Sequence, residues 1–504
     1  MSKYLVLVFC LMLNAVCLAQ LHTRAEIDKA VANEVRTAIE EFRDCLSIPN
    51  DGNYPEQIEA NMQWAMNAFA KRGFATQIIK TPGAPHVFAE KKFVKKGKTV
   101  LFYLQIDGQP VDSSAWDQPS PFRATLKENI DGHWTTISWS KLDSGFDPDL
   151  RIYARSASDS KGPAMCFLSA LSILDKYKVK PNFNIKVIMD FQEELSSPQL
   201  EWVVKNNTEL LAADMVLIMD GTRHVSNLPT LCFGARGIAT ATIKVFGPRN
   251  ALHSGQYGNY APNPVFALSR LLAGMKDEQG RVTIPGFYDD VTLSEADKTD
   301  LKKIPEDENE INKTLGIARA ESVGNTYQEA MQYPSLNVRG LRAAWVGKEV
   351  RTIIPQDAVA EIDMRLVPES SGDKLIGLLK EYIESQGFHL VDGEPTEAER
   401  SQYDKLASFT YKLGSDPFRT DIDTELGRWL TRSHQRAFGD QFVKVRTTGG
   451  SQPIAPFIQT LSIPAVSVRI PNPDNSIHSP NENIRLGNFI DGIATMVATL
   501  TEKL

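Results

Sequence analysis

Residues 99–107 read TVLFYLQID, an apolar run ending on Gln105, Ile106 and Asp107 with a Gly-x-Pro turn at 108–110 behind it. A short apolar run closed by turn residues reads as a strand carrying polar side chains to the edge of a sheet. The same signature returns at 75–81 (ATQIIKT), 183–192 (FNIKVIMDFQ) and 214–221 (DMVLIMDG). Between these runs lie 163–177 (PAMCFLSALSILDKY) and 197–207 (SPQLEWVVKNN), whose patterns are helical. Strands alternating with helices predict an α/β domain built on a wound, mixed sheet, with its site where the strands end.

Working outward, residues 25–46 predict a helix with Ile27, Val31, Val35, Ile39 and Phe42 on one buried face, and residues 55–72 a second. After Asp220 the texture changes. Residues 237–248 (GIATATIKVFGP) alternate as an edge or half-buried strand, 263–275 read as a helix, and 289–317 as a charged, loop-like insertion. Residues 358–368 (AVAEIDMRLVP) are another alternating strand and 373–387 another helix, which together suggest a smaller, antiparallel α+β domain. Residues 438–451 and 464–470, with a final amphipathic helix, return to the first domain. The expected division is 20–230 and 411–504 for the main domain, with 231–410 inserted into it.

At 504 residues the chain is too long for one ordinary core. Its net charge of -7, with no basic run, argues against nucleic acid as a partner. The N-terminus, MSKYLVLVFCLMLNAVCLAQ, has Lys3, an apolar stretch and Cys17-Leu18-Ala19 before Gln20. That series predicts a cleaved signal peptide over 1–19 and export, either secreted or periplasmic. The apolar stretch is short for a membrane span and Asn14 interrupts it, so no transmembrane segment is expected in the mature chain. A lipoprotein anchor at Cys17 is the weaker alternative, since Asn-Ala-Val before it is a poor match. Cys45, Cys166 and Cys232, odd in number and widely spaced, form neither a disulfide framework nor a zinc-cysteine site and read as buried or unreactive thiols.

Four short pieces carry chemistry. Asp159 lies in RIYARSASDSKGP (151–163), directly before a helix, where alone it reads as a cap. Glu193 and Glu194 end a strand in MDFQEELSS (189–197), where like charges need solvent or a cation. Asp220 ends MVLIMDG as a turn initiator would, and His478 stands in NSIHSPNEN (475–483), a loop histidine before the last helix. Taken together they offer three carboxylates and an imidazole as metal ligands, a set that suits zinc, and one spare glutamate to take a proton from water. A G-x-S-x-G elbow, an H-E-x-x-H helix and a G-x-x-x-x-G-K loop are all absent from the sequence.

The order D-x-K-G-P, E-E, strand-end D, G-x-R-G, L-H-S-G, G-G-S and H-S-P-N-E-N resembles the dinuclear zinc exopeptidases. That group holds the carnosinase-like dipeptidases, glutamate carboxypeptidase, aminoacylase and the acetylornithine and succinyl-diaminopimelate deacylases. ARSASDSKGP, ALHSGQYGN (251–259) and IHSPNEN look closest to the carnosinase-like branch, and the resemblance covers nearly the whole mature chain. It implies a catalytic domain interrupted by a lid that makes a homodimer. It also implies that Asp159 bridges two metals, that Glu194 and His478 complete one site, and that Asp220 belongs to the other. Glu193 would be the general base and Asp107 would orient a ligand. His253 would reach the partner's site and support the oxyanion, and Arg365, Gly450 and Ser451 would hold the substrate carboxylate.

Two departures qualify this. The family's strand-end motif is H-x-D, and here it is Gln105-Ile106-Asp107, so the histidine ligand is replaced by a weak or lost one. The expectation is one firm zinc at Asp159, Glu194 and His478, with a second position of oxygen donors that is empty, labile or filled by a harder ion such as manganese. Thr448 stands where carnosinase-like relatives often carry a glutamate before G-G-S, which puts recognition of a free amino terminus in doubt. The expected activity is metal-dependent cleavage of an amide bond in small peptides, as a dipeptidase or exopeptidase. The alternatives are an N-acyl amino acid deacylase and, because of Gln105, a non-catalytic peptide-binding relative.

Overall fold

The structure, a computed structural model, describes residues 21–504, so the expected signal peptide lies outside the described residues. Its main sheet has eight strands in the order Ala75–Ile79, His86–Lys91, Asn184–Asp190, Thr99–Gln105, Met215–Ile218, Ala465–Arg469, Thr230–Cys232 and Val443–Val445. The four central strands run parallel, from Asn184–Asp190 through to Ala465–Arg469. Antiparallel strands flank them on both sides, which makes the sheet mixed.

The unbroken apolar run at 99–105 follows from burial on both faces. Val100, Phe102 and Leu104 pack with the helices Arg24–Leu46, Pro55–Lys71, Lys161–Lys176, Glu425–Phe438 and Leu486–Thr501. Leu101 and Tyr103 face a second core with Leu200–Asn206 and Ala455–Leu461. A strand covered on both sides has no solvent face to make polar, so its pattern is continuous rather than alternating. The register then brings the strand ends level: Gln105 lies opposite Asp190, Tyr103 opposite Ile218, and Ile218 opposite Ser467. All four exits therefore open at one edge.

The second sheet has five strands in the order Ser335–Arg342, Asp357–Leu366, Gly237–Phe246, Leu406–Leu413 and His389–Val391. Gly237–Phe246 sits in the middle of this sheet, half-buried as its alternation predicts but not at an edge. Ala239, Ala241, Ile243 and Val245 point inward onto the helices Pro264–Ala273 and Gly372–Ser385, while Thr240, Thr242 and Lys244 take the other face. The pairings are antiparallel except at His389–Val391. The architecture is the expected one, a wound α/β part interrupted by a smaller α+β part.

Two stretches differ from the sequence reading. Residues 289–317 contain two short helices, Glu295–Leu301 and Glu308–Leu315, whose first turns are satisfied by the side chains of Ser294 and Asp307. Their high charge marks solvated helix faces, not irregular chain. Thr125–Ile130 and His133–Ile137 form a hairpin turning on Asp131-Gly132, both with positive φ (51° and 86°). Arg151–Tyr153 and then Asn483–Arg485 extend that hairpin into a four-stranded sheet. This last pairing lays the HSPNEN segment beside the loop that carries Asp159.

Cys45, Cys166 and Cys232 are free and buried, as expected, and burial pushes the Cys45 thiol up to about 12.

Candidate active site

The loop before the helix Lys161–Lys176 is shaped by one buried acid from the other end of the chain. Glu482 Oε1 accepts from the backbone N–H groups of Ser158 and Asp159 and from the Ser158 hydroxyl, at 2.9, 2.9 and 2.8 Å. Its Oε2 accepts from Ser156 N–H at 2.8 Å and from the Arg155 guanidinium at 2.7 Å. Both oxygens of Glu482 are spent on the loop, and the buried Asp159 carboxylate meets His478 instead. It is not the helix cap that its position suggests: the cap position is Ser160, whose hydroxyl donates to Asp159 Oδ1 at 2.7 Å and caps no helix N–H.

The Glu193-Glu194 turn leaves the neighbouring strand and is tied at two points. Asp107 Oδ2 accepts the Glu194 N–H at 3.0 Å. Asp190 Oδ1 accepts the N–H groups of Phe191 and Gln192 at 2.7 and 2.9 Å, and Oδ2 accepts from the Tyr103 hydroxyl at 3.0 Å. His86, on the adjacent strand His86–Lys91, brings Nε2 within 3.4 Å of the same carboxylate. Burial pushes Asp190 up, but His86 and the surrounding donors outweigh it and hold the carboxyl well below the usual range.

Just past the strand Met215–Ile218, Asp220 Oδ2 accepts from Gln452 Nε2 at 2.8 Å, and Ser467 braces Gln452 from behind at 3.1 Å. His478 comes in last, half-exposed on its loop. Its Nε2 stands 3.1 Å from Asp159 Oδ2 and 3.2 Å from Glu194 Oε2, and Gln109 Nε2 donates to that same Glu194 oxygen at 2.8 Å. One ligand atom each from Asp159, Glu194 and His478 lies within 4.8 Å of the others.

So many acids in one place perturb each other. Burial first, then Asp220, Asp159, Asp107 and Glu194, push the Glu193 carboxyl well above its ordinary value. Burial raises Glu194 and Asp220 as well, with Asp159 adding to both. Burial and then Asp190 raise Asp107. Hydrogen bonds to Asp159 and Glu194 carry His478 the other way for a base, up to about 10. A buried cluster of mutually repelling carboxylates around an imidazole is the environment that a divalent cation relieves, and two carboxylates with one imidazole match a zinc donor set. The residues therefore fit a metal.

The other expected residues fall in three places. Gln105 is buried beside the cluster at 2 % exposure, and neither its amide oxygen nor its nitrogen has a partner. Arg365, on the strand Asp357–Leu366, donates to Ser451 Oγ at 3.1 Å, and Gly450 beside it has open space around its Cα. His253 stands exposed, away from the cluster, with Nδ1 accepting the Gly255 N–H at 3.0 Å. Within one chain it is not part of the site. Glu482, Arg155, Asp190, His86, Gln109 and Gln452 were not singled out by sequence reading. For Glu482 the signal was present in NEN following HSP, but nothing local marks an acid that folds a loop over 300 residues away.

Residues 101–502 match the model of the peptidase family M20/M25/M40. The Beta-Ala-His dipeptidase of Rattus norvegicus is 26% identical over 434 residues, covering 84% of this chain and 81% of its own. The Cys-Gly metallodipeptidase of Schizosaccharomyces pombe is 26% identical over 405 residues, covering 79% of this chain and 78% of its own. Among solved structures, an M20 family metallo-carboxypeptidase from Sulfolobus solfataricus superposes with a TM-score of 0.74 at 28% identity, covering 92% of this chain and 98% of that one. With four-fifths of its length matched and a metal-ligand cluster at the strand ends, the chain belongs to peptidase family M20/M25/M40 and is a metallopeptidase, an enzyme that hydrolyses peptide bonds.

Proposed function

We propose that this enzyme is a zinc-dependent dipeptidase in which Asp159, Glu194 and His478 hold the firm metal and Glu193 is the general base. The observation that carries the reading is the convergence of those three ligands within 4.8 Å, with the half-buried Glu193 adjoining Glu194. Similarity to two dipeptidases supports small peptides as substrates over N-acyl amino acids. A second position lined by Asp220, Asp159 and Gln105 offers only oxygen, so it holds an ion weakly, suits manganese better than zinc, or stays empty.

When bound, the cation polarises the scissile carbonyl and makes water more acidic. Glu193 takes the proton from the attacking water on its carboxylate and returns it to the leaving amine nitrogen. A carboxylate suits this shuttle because it accepts the proton in one step and gives it back in the next. Arg365 and Ser451, joined by a hydrogen bond, hold the terminal carboxylate of the substrate beside Gly450.

His253 is assigned to the partner subunit's oxyanion contact, which requires a homodimer. Support comes from Ser335–Arg342, an edge strand of the second sheet that exposes Val338 and Leu341. An unpaired edge strand that exposes large apolar side chains among its charged ones can serve as a pairing surface. Export through residues 1–19 is retained as part of the reading; among the described residues no helix is long and apolar enough to cross a membrane. N-terminal sequencing of the mature protein decides the cleavage.

The decisive experiment is Glu193→Gln. Dipeptide hydrolysis should fall by about 10²–10⁴-fold while substrate binding persists, because the change removes a proton acceptor and keeps the shape. A wild-type protein that binds dipeptides without cleaving them, metal added, overturns the reading in favour of a binding relative.

A further inference from the structure

The strand Ala465–Arg469 ends on a guanidinium that no carboxylate hydrogen-bonds, although its charge reaches Asp220 and favours the ionised form of that acid. Arg469 makes one hydrogen bond among the described residues, a long one from a terminal nitrogen to Thr222 O at 3.4 Å, and its Nε has no partner. It lies flat against the chain one residue beyond Asp220: a Cβ built on Gly221 would stand 2.8 Å from Arg469 Cζ. Gly221 has φ +87°, so both its backbone and this approach call for glycine.

The guanidinium lines a cavity of about 160 Å³ together with Thr222, Thr447, Thr448 and Gly449. That volume is on the scale of a small ring or a side chain, far above one water. The other charged groups in the wall are already engaged. Glu306 accepts from Gln328 Nε2 at 2.6 Å and stands 2.8 Å from His224 Nε2. Arg223 is paired with Asp491 at 3.0 Å. Arg469 is therefore the cation of this wall that no carboxylate hydrogen-bonds, and it is flanked by hydroxyls and glycine. A planar guanidinium with free donors is built for a carboxylate.

Arg365 and Ser451 do not line this cavity, which meets the strand-end cluster only at its rim, where Arg469 packs on Gly221 beside Asp220 and Gly449 adjoins Gly450. We propose that Arg469 and the Thr448 wall form a side-chain subsite for a carboxylate, so that the preferred substrates are dipeptides with an acidic amino-terminal residue. The terminal carboxylate is assigned to Arg365 and Ser451, so a second anion recognised at the Asp220 end belongs to the residue on the other side of the scissile bond. Thr448 then has a use of its own: an acid at that position would occupy the Arg469 guanidinium and repel such a side chain.

This inference rests on the dipeptidase reading, and the test separates the two. The zinc-loaded enzyme is assayed on Glu-Ala, Asp-Ala, Ala-Ala and Lys-Ala, as wild type, Arg469→Gln and Arg469→Lys, with thermal unfolding to show that each variant folds. Wild type should favour the acidic peptides over Ala-Ala by about tenfold or more in kcat/KM, mostly through KM, the least a charge-assisted hydrogen bond contributes. Arg469→Gln should bring that ratio to about one, and Arg469→Lys should keep part of it. Wild type that cleaves Ala-Ala as fast as Glu-Ala overturns the subsite and leaves the dipeptidase reading standing. A uniform drop on all four peptides in Arg469→Gln, with the ratio unchanged, also overturns it, since Arg469 would then serve only to balance Asp220. Failure of wild type to cleave any of the four overturns the dipeptidase reading and the subsite with it.

Discussion

Asp107 Oδ2 accepts the backbone N–H of Glu194 at 3.0 Å, so the acid ending one strand holds the turn that leaves the next. Asp107 thus acts through Glu194, and the proposed ligand Glu194 and the proposed base Glu193 both sit on that turn. Asp107→Ala should weaken zinc affinity by about 10–100-fold, the usual cost of losing a partner behind a ligand. Asp107→Asn keeps an oxygen acceptor for the N–H and should lose less. Competition with a chelating dye measures both.

Glu482 and Arg155 form a buried pair, 1 % and 3 % exposed, at the base of the Asp159 loop. Glu482→Ala leaves the Arg155 charge buried without a partner and strips the loop of its acceptors. Unfolding stability should drop by about 3–5 kcal/mol, read from urea denaturation of the metal-free protein. A loss under about 1 kcal/mol, the scale of a surface pair, would show the loop is held otherwise.

Gln105 is where the second metal position lacks an imidazole. Wild type should retain about one zinc per chain after gentle purification, by elemental mass spectrometry, with three protein ligands and an open position typical of a catalytic site. Gln105→His should bring retention to about two. Two tightly held zincs in wild type would show that another ligand has taken the place of the histidine.

Metal-free protein should lose stability as pH rises. Glu193, Glu194, Asp220 and Asp107 bind protons more tightly folded than unfolded, so between about 4 and their raised values the folded state holds the extra protons and stability falls with pH. His478, raised to about 10, acts in the same direction: its contribution is complete below about 6.5 and is lost as pH climbs through about 10. Asp190, lowered, matters only in acid, where its contribution declines as pH falls below about 4. The melting temperature of stripped protein should therefore drop from pH 5 to pH 9, and zinc should flatten that slope. Zinc binding should also release protons, measurable by calorimetry in buffers of different ionisation enthalpy.

Much of this protein was legible in its residues. The runs at 99–105, 184–190 and 215–218 are strands because a segment buried on two faces must be apolar throughout, and burial on one face wrote the alternation of 237–246. Periodicity is a local property, so the strands and the long helices emerged with their ends nearly right. Glu193, Glu194 and Asp220 at strand ends, and Asp159 and His478 in loops, were visible as candidates from their residue types and positions. The helices of 289–317 were not, because short helices held by caps and solvated faces carry little apolar period.

Tertiary structure alone decided which of these side chains meet. His478 and Asp159 stand 319 positions apart in sequence and 3.1 Å apart in space. They are joined by a three-residue strand pairing and by the carboxylate of Glu482. Whether an acid caps a helix, holds a loop or faces a metal depends on what else is packed within hydrogen-bond reach, and that is set by sheet register rather than by neighbours along the chain. The buried, unpartnered amide of Gln105 and the guanidinium of Arg469, which no carboxylate hydrogen-bonds, belong to the same class: residue types visible in sequence, whose solvent and partners only the fold removes.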